Sequence, residues 1–332
     1  MSVYVIAEAG VNHNGSLDLA LKLADAAKAA GADAVKYQTF KAGALVTPDA
    51  GVARYQRENL GEQKSQYEML KELELTKGEF TQLAMHCKAI GIDFCTTTFD
   101  RDSTAFALDR LDLPFMKIPS GEITNLPFLE VAAASGKPII LSTGMCTMEE
   151  VVDAVSVLRK AGASDITVLH CTTQYPAPYK DINLRAMCEM GNILDLPFGY
   201  SDHTLGTEVS VAAVALGATV IEKHFTLDRT LSGPDHKASI EPDELRELVS
   251  QIRHVELAMG VKGKMVSEAE SGNRDIVRKS IVAKVSIDAG EEFTEDNLDV
   301  KRPGTGISPM KWHEVIGSYA KRAFDQNEMI EL

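Results

Sequence analysis

Two stretches carry the residue types that hold metals and move protons: Tyr200-Ser201-Asp202-His203-Thr204 and Glu222-Lys223-His224-Phe225. Each reads as the end of a buried strand running out into a loop. Side chains alternate faces along a strand, so Ser201 shares a face with His203, and Glu222 with His224. Two neighbouring strands would bring both imidazoles and a carboxylate to one point. His203 and His224 with an oxygen donor nearby suit Mn2+ or Mg2+, with water or substrate completing the shell. The plainer alternative is two strand-end histidines satisfied by ordinary hydrogen bonds. Their matching positions, each with a polar neighbour two residues earlier, favour the metal.

Lys36 lies in Ala34-Val35-Lys36-Tyr37 and Lys117 in Phe115-Met116-Lys117-Ile118. A lysine embedded in so apolar a run is rare without a partner. Two such lysines, with the hydroxyls of Thr96-Thr97-Thr98, Ser120, Ser142 and Ser201 and glycine-flanked amides, are what a small phosphorylated anion requires. Glu8, Glu122 and Glu222 are candidates for proton transfer or a water contact. Each alone serves equally well as a structural partner of a lysine or histidine. Neither Ser142 nor Ser201 sits in a GxSxG elbow, so serine-hydrolase chemistry is not indicated. Asn12-His13-Asn14-Gly15 reads as a tight turn into the first helix, and Pro176-Ala177-Pro178-Tyr179 as a rigid loop beside Tyr175.

These residues need a scaffold that brings many strand ends to one rim. Strand-like runs occur at Tyr4–Ala7, Ala34–Tyr37, Asp93–Thr96, Phe115–Ile118, Ile139–Leu141, Thr167–His170, Phe198–Tyr200 and Thr219–Glu222. Amphipathic stretches separate them. Leu17, Ala20, Leu21, Ala24 and Ala27 recur at helical spacing. Val151, Val152, Val155 and Leu158 do so behind a Thr147…Glu150 capping box. A last helix opens at Pro242 with Leu245, Leu248, Val249, Ile252 and Val255 on one stripe. Gly31, Gly91, Gly136 and Gly162 stand where helices must stop. Eight such repeats predict a closed parallel barrel ringed by helices, with its active face at the C-terminal strand ends. An open doubly wound sheet is the alternative. Against it, no GxGxxG follows the first strand, and polar residues end nearly every strand. The longest insertion, about residues 41–75, should hold a short helix at Gln66–Leu73 and shape the barrel mouth.

Beyond Met259-Gly260 the character changes. The expected division is a barrel domain over 1–262, a polar linker over 263–279 and a small, mainly β domain over 280–332. That last domain is too small to be comfortably stable alone and should dock on something. The 332 residues, 45% hydrophobic and 25% charged, are ordinary for a soluble enzyme, and the net charge of −14 argues against nucleic acid or an anionic membrane as partner. It also requires any anionic substrate to find a locally basic pocket. The five cysteines show no CxxC pair and no zinc spacing, which predicts reduced thiols and a cytoplasmic setting. No signal sequence and no membrane span are expected.

Six motifs carry a resemblance. Ile6-Ala7-Glu8-Ala9-Gly10-Val11-Asn12-His13-Asn14-Gly15, Ala34-Val35-Lys36-Tyr37-Gln38-Thr39, Lys117-Ile118-Pro119-Ser120-Gly121-Glu122, the two histidine stretches (the second extended to Thr226) and Gly233-Pro234-Asp235-His236 resemble the sialic acid synthase family. The region from Ser280 through Val300-Lys301-Arg302-Pro303-Gly304 resembles the antifreeze-like (SAF) domain that follows the barrel there. Any one motif is weak; six in order across the chain are specific.

The resemblance implies condensation of phosphoenolpyruvate with an open-chain N-acylated hexosamine, releasing phosphate. It implies a divalent metal held by His203 and His224, and phosphoenolpyruvate held by Lys36, Thr98, Lys117, Ser120, Ser142 and Ser201. Gln38, Tyr175 and Asp235 would line the sugar side, and Glu8, Glu122 and Glu222 would carry proton, water and sugar-hydroxyl contacts. Arg302 would reach in from the partner subunit of a domain-swapped homodimer. N-acetylmannosamine, giving N-acetylneuraminate, is the first expectation for the sugar. The alternative is 2,4-diacetamido-2,4,6-trideoxymannose, giving N,N'-diacetyllegionaminate. Thr173 replaces an asparagine common in the family, and Gly233–Ser239 looks more like the bacterial sialate and legionaminate branches than the pseudaminate one. No extra basic cluster suits a second sugar phosphate, which favours a free hexosamine. Three rivals remain: a metal-dependent pyruvate aldolase, a Schiff-base aldolase at Lys36, and a non-catalytic carbohydrate- or ice-binding protein suggested by the C-terminal resemblance alone.

Overall fold

The protein is described from a computed structural model covering residues 2–48, 50–52, 56 and 65–332. All eight expected strands form: β1 (Tyr4–Gly10), β2 (Ala34–Thr39), β3 (Asp93–Thr98), β4 (Met116–Ile118), β5 (Ile139–Ser142), β6 (Ile166–Cys171), β7 (Phe198–Asp202) and β8 (Val220–His224). They pair in chain order, and β8 returns to β1, so the sheet closes into a parallel barrel. Most strands run one to three residues further at their C-terminal ends than the apolar runs suggested. The polar residues expected just after the strands are therefore mostly their last rungs. Closure explains this, because a barrel strand keeps ladder partners on both sides after its apolar run has ended.

The helices are α1 (Leu17–Ala30), the single turn α2 (Ala42–Leu45), α3 (Gln66–Glu72), α4 (Lys77–Ile90), α5 (Arg101–Arg110), α6 (Leu126–Ala134), α7 (Met148–Lys160), α8 (Arg185–Leu194), α9 (Glu208–Ala215) and α10 (Pro242–Met259). Their starts are chemically specified. Thr147 and Glu150 form the expected capping box on α7, and Thr76 with Glu79 forms another on α4. Their ends are specified by glycine: Gly31 and Gly91 adopt left-handed backbone after α1 and α4, which costs an L-residue but not glycine. The α10 stripe buries Leu245, Leu248, Val249 and Ile252 as its spacing requires. The 41–75 insertion holds α2 and α3, and much of what lies between them falls outside the described residues.

The barrel interior is layered. Ile6, Ala34, Cys95, Phe115, Ile140, Leu169 and Val220 form a buried apolar cluster in its lower half. Gly199 occupies the corresponding place on β7, where an added Cβ would lie 2.3 Å from the Val220 carbonyl oxygen and 2.7 Å from Leu169. Two residues further along each strand, on the same face, stand Glu8, Lys36, Thr97, Lys117, Ser142, Cys171, Ser201 and Glu222. An apolar floor thus carries a polar ring.

The chain divides into two compact units, Met1–Gly260 and Val261–Leu332. The second has its own small core of Ile281, Ala283, Ile287, Phe293, Leu298 and Phe324. In it β9 (Ser280–Ala283) pairs antiparallel with β10 (Leu298–Lys301), and α12 (Trp312–Val315) is a short turn. The expected linker contains α11 (Glu268–Val277), none of whose residues is buried. Among the described residues, no helix is long and apolar enough to cross a membrane, and the five cysteines are free thiols.

Candidate active site

The polar ring opens into a cavity of about 430 Å³. It is lined by Glu8, Lys36, Gln38, Thr97, Lys117, Ser120, Ser142, Cys171, Tyr175, Ser201, His203, Glu222 and His224, with Thr173 and Met145 at its edge. A larger groove lined by Phe99, Leu108 and Phe128 lies outside the barrel between helices and contains none of this chemistry.

Two buried lysines face each other across Glu222. Lys36 Nζ lies 2.7 Å from Glu8 Oε2 and 3.7 Å from Glu222 Oε2, and it donates to Thr97 Oγ1 at 2.9 Å. Lys117 Nζ donates to Ser142 Oγ at 2.6 Å and lies 3.7 Å from Glu222 Oε1. Ser201 donates to the same Glu222 oxygen at 3.1 Å, and Gln38 donates to Glu8 Oε1 at 3.2 Å. Burial works against every charge here, and the neighbours decide which ones survive. For Glu222 burial is outweighed by Lys117 and Lys36, so its carboxyl stays below its usual value. Burial wins at Lys117, whose ammonium is held below the ordinary lysine value. It wins also at Glu8, raised well above the carboxylate range despite Lys36. Glu8 is therefore the carboxyl in this ring most ready to carry a proton.

Beside this ring Ser120 Oγ accepts the Gly144 amide at 2.8 Å and lies 3.3 Å from Cys171 Sγ. Gly144 has no room for a side chain, since a Cβ would stand 2.6 Å from Thr173 Cγ2 and 2.9 Å from Cys171 Sγ. The turn after β5 thus brings a backbone amide close against the pocket wall.

The two imidazoles stand at the mouth with ring centres 5.5 Å apart, and the Tyr175 ring packs 4.1 Å from His203 and 5.5 Å from His224. His203 Nδ1 meets the Thr172 carbonyl at 2.6 Å. A carbonyl only accepts, so Nδ1 carries the proton and Nε2 keeps its lone pair. His224 Nδ1 is buried without a hydrogen-bond partner. Burial lowers the pKa of both rings, which favours the neutral, ligating form. Two imidazole donors, one of them buried with an unsatisfied nitrogen, fit a divalent cation. No cluster of three or more His, Cys, Asp or Glu side chains suited to a metal occurs among the described residues. Such an ion would therefore take most of its shell from water and substrate.

Three expected residues stand elsewhere. Thr98 is on the outer face of β3, where its hydroxyl accepts from Thr104, and Thr97 faces the cavity instead. The alternation along β3 from the inward Cys95 was the available signal for Thr97. Glu122 does not line the cavity: it accepts from Asn125 Nδ2 at 2.5 Å, in the turn where Asn125 caps α6. Asp235 is buried but outside the cavity lining, and its Oδ1 lacks a hydrogen-bond partner. Arg302, expected to act from a partner subunit, is exposed in the second unit, just after β10. The remaining expected residues, Glu8, Glu222, Lys36, Lys117, Ser120, Ser142, Ser201, Gln38, Tyr175, His203 and His224, all line the one cavity.

Relatives share this sequence from end to end. The N,N'-diacetyllegionaminic acid synthase of Campylobacter jejuni is 50% identical over 98% of each chain. That of Legionella pneumophila is 47% identical over 96% of this chain and 90% of its own. Among solved structures, the N-acetylneuraminic acid synthetase of Leptospira borgpetersenii, in complex with citrate, superposes with a TM-score of 0.72 at 36% identity, covering 82% of this chain and 90% of that one. The SAF domain model matches residues 278–331. With the NeuB family model matching residues 23–264, through α1, seven of the eight strands and α10, the chain belongs to the NeuB family of nonulosonic acid synthases.

Proposed function

We propose that this chain condenses phosphoenolpyruvate with 2,4-diacetamido-2,4,6-trideoxymannose to give N,N'-diacetyllegionaminate and phosphate. The supporting observation for the phosphoenolpyruvate half is the pair of lysines, both buried in one cavity and both within 3.7 Å of Glu222. A pyruvate aldolase has no use for two such cations, whereas a phosphate and a carboxylate on one small molecule need both. For the sugar half, the names of the Campylobacter and Legionella relatives favour the legionaminate alternative over the N-acetylmannosamine first expected.

In this reading Lys36, Lys117, Ser142 and Ser201 hold the phosphate and carboxylate. Thr97 takes the place expected for Thr98, and Ser120 with the Gly144 amide closes the far side. The methylene carbon attacks the sugar aldehyde carbon, and positive charge develops at the enol-ether carbon. Glu222, kept ionised between the lysines, faces that charge. Water adds there, and the tetrahedral adduct loses phosphate by carbon–oxygen cleavage. Glu8, holding its proton on the carboxyl that Gln38 and Lys36 orient, delivers it to the nascent alkoxide. Gln38 and Tyr175 flank the sugar. Glu122 is left out of proton handling, because its carboxylate is committed to the α6 cap. A divalent cation on His203 and His224 would polarise the aldehyde oxygen as a Lewis acid.

A homodimer with Arg302 reaching the partner's sugar fits the exposed apolar side chains of α11, Ile276 and Val277. Phosphate release with phosphoenolpyruvate and Mn2+ tests the whole reading, offering both sugars in parallel. Turnover is expected with 2,4-diacetamido-2,4,6-trideoxymannose at least ten times that with N-acetylmannosamine, a transition-state difference of about 1.4 kcal/mol. Preference for N-acetylmannosamine restores the first expectation, and product formation from pyruvate without phosphate release refutes the synthase.

A further inference from the structure

Behind the two imidazoles, on the outer face of the barrel wall, lies an ion pair for which the chemistry above has no use. Asp202 Oδ2 and Lys223 Nζ are 2.9 Å apart, and both side chains are at most 1% exposed. They are opposite one another on the last rung of the β7–β8 ladder. One residue later each strand presents its histidine to the cavity.

The pair holds more than itself. Asp202 Oδ1 accepts from the Thr204 amide at 2.8 Å and from the Thr204 hydroxyl at 2.7 Å. Asp202 Oδ2 also accepts from Ser210 Oγ of α9 at 2.6 Å. Lys223 Nζ donates to the Thr204 carbonyl at 2.6 Å. His203 is therefore gripped through both chain neighbours, and His224 directly follows the lysine that does half of the gripping. At this point β7 is leaving the sheet; beside the cluster, the Ala177 amide donates to the His203 carbonyl at 2.8 Å and the His203 ring meets the Thr172 carbonyl at 2.6 Å.

A buried charge pair is a poor choice for stability alone. Desolvating both ions costs several kcal/mol, and well-packed apolar residues often do as well or better. What the charges add is direction: each oxygen and each ammonium hydrogen fixes a bearing as well as a distance. We propose that the Asp202–Lys223 pair is a positioning device that sets the separation of His203 and His224, so that both imidazoles reach one divalent cation. The proposal rests on the metal reading given above.

The test measures Mn2+ binding to the full chain from the paramagnetic resonance signal of free aqueous Mn2+. Phosphoenolpyruvate binding, measured by calorimetry in chelator, is the control. The main variant is Asp202→Asn with Lys223→Met, which leaves no buried charge unpaired and so should fold. Mn2+ affinity should fall about tenfold or more, as it does when groups behind metal ligands are lost, while phosphoenolpyruvate affinity stays within about twofold. Ser210→Ala is the milder second variant and decides the matter if the first is insoluble. Its expected loss is about fivefold in Mn2+ affinity, the worth of one hydrogen bond. Mn2+ affinity equal to wild type, or parallel loss of both ligands, overturns the proposal. His203→Ala separates the two levels. If wild type binds Mn2+ and His203→Ala does not, the metal reading stands whatever the pair does; if wild type binds none, both fall.

Discussion

Glu222 is the hinge of the charge balance, and Glu222→Gln tests it. The substitution keeps shape and leaves the Ser201 hydroxyl a partner, but it removes the carboxylate that both lysine ammoniums face at 3.7 Å. Lys36 retains Glu8 at 2.7 Å, whereas among the described residues Lys117 retains only Ser142 and a long contact to the Ile118 carbonyl. Breaking a buried ionic cluster by removing one partner typically costs about 3–5 kcal/mol. In a unit of this size that lowers the unfolding midpoint by roughly 6–20 °C. The pH dependence is the sharper signature. Burial already depresses the Lys117 value, and without Glu222 it falls further. Between that depressed value and the ordinary lysine value of about 10.4, the unfolded chain binds the proton and the folded chain does not. Stability must therefore rise with pH across that window, and more steeply in the variant than in wild type. Thermal unfolding followed by circular dichroism from pH 6 to pH 10 reads both effects. A variant that melts with wild type, or whose deficit stays constant across that range, would refute the account of Lys117 as a cation held in place by Glu222.

Gly144→Ala forces a Cβ to within 2.6 Å of Thr173 Cγ2, an overpacking that costs about 1–3 kcal/mol. KM for phosphoenolpyruvate should rise as Ser120 is displaced, and adding Thr173→Ser should recover part of the loss; no recovery would mean that the clash is relieved elsewhere. Asp235 is pushed up to about 6 by burial alone, against an ordinary value near 3.9, so it destabilises the folded chain as pH rises through that interval. Asp235→Asn should match wild type near pH 4 and exceed it at pH 7 by up to about 3 kcal/mol, read as a higher unfolding midpoint. Mixing inactive Arg302→Ala with inactive His203→Ala chains should restore up to about a quarter of the wild-type sites if Arg302 acts on a partner's cavity, because one hybrid site in each mixed dimer is intact. Phosphate release that stays at background after subunit exchange would rule that arrangement out.

Short apolar runs named the strands and period-3.6 stripes the helices, in their order, because burial against water acts on each residue locally. Ser16, Thr76 and Thr147 capped their helices for equally local reasons. Most of the chemical residues were legible as well, since a lysine or histidine at the end of an apolar strand is conspicuous in sequence. Their pairing was not. Thr97 rather than Thr98 reaches Lys36, Glu222 rather than Glu122 joins the lysines, and Lys223 turns outward to Asp202 while its neighbours turn in. Alternation gives the face each strand residue shows, but which side chains meet depends on how far neighbouring strands are staggered, and that is set only when β8 closes on β1. Sequence determined which charges this chain would bury; closure of the barrel decided which of them would meet, because only then does each charge acquire the neighbours that offset its lost water.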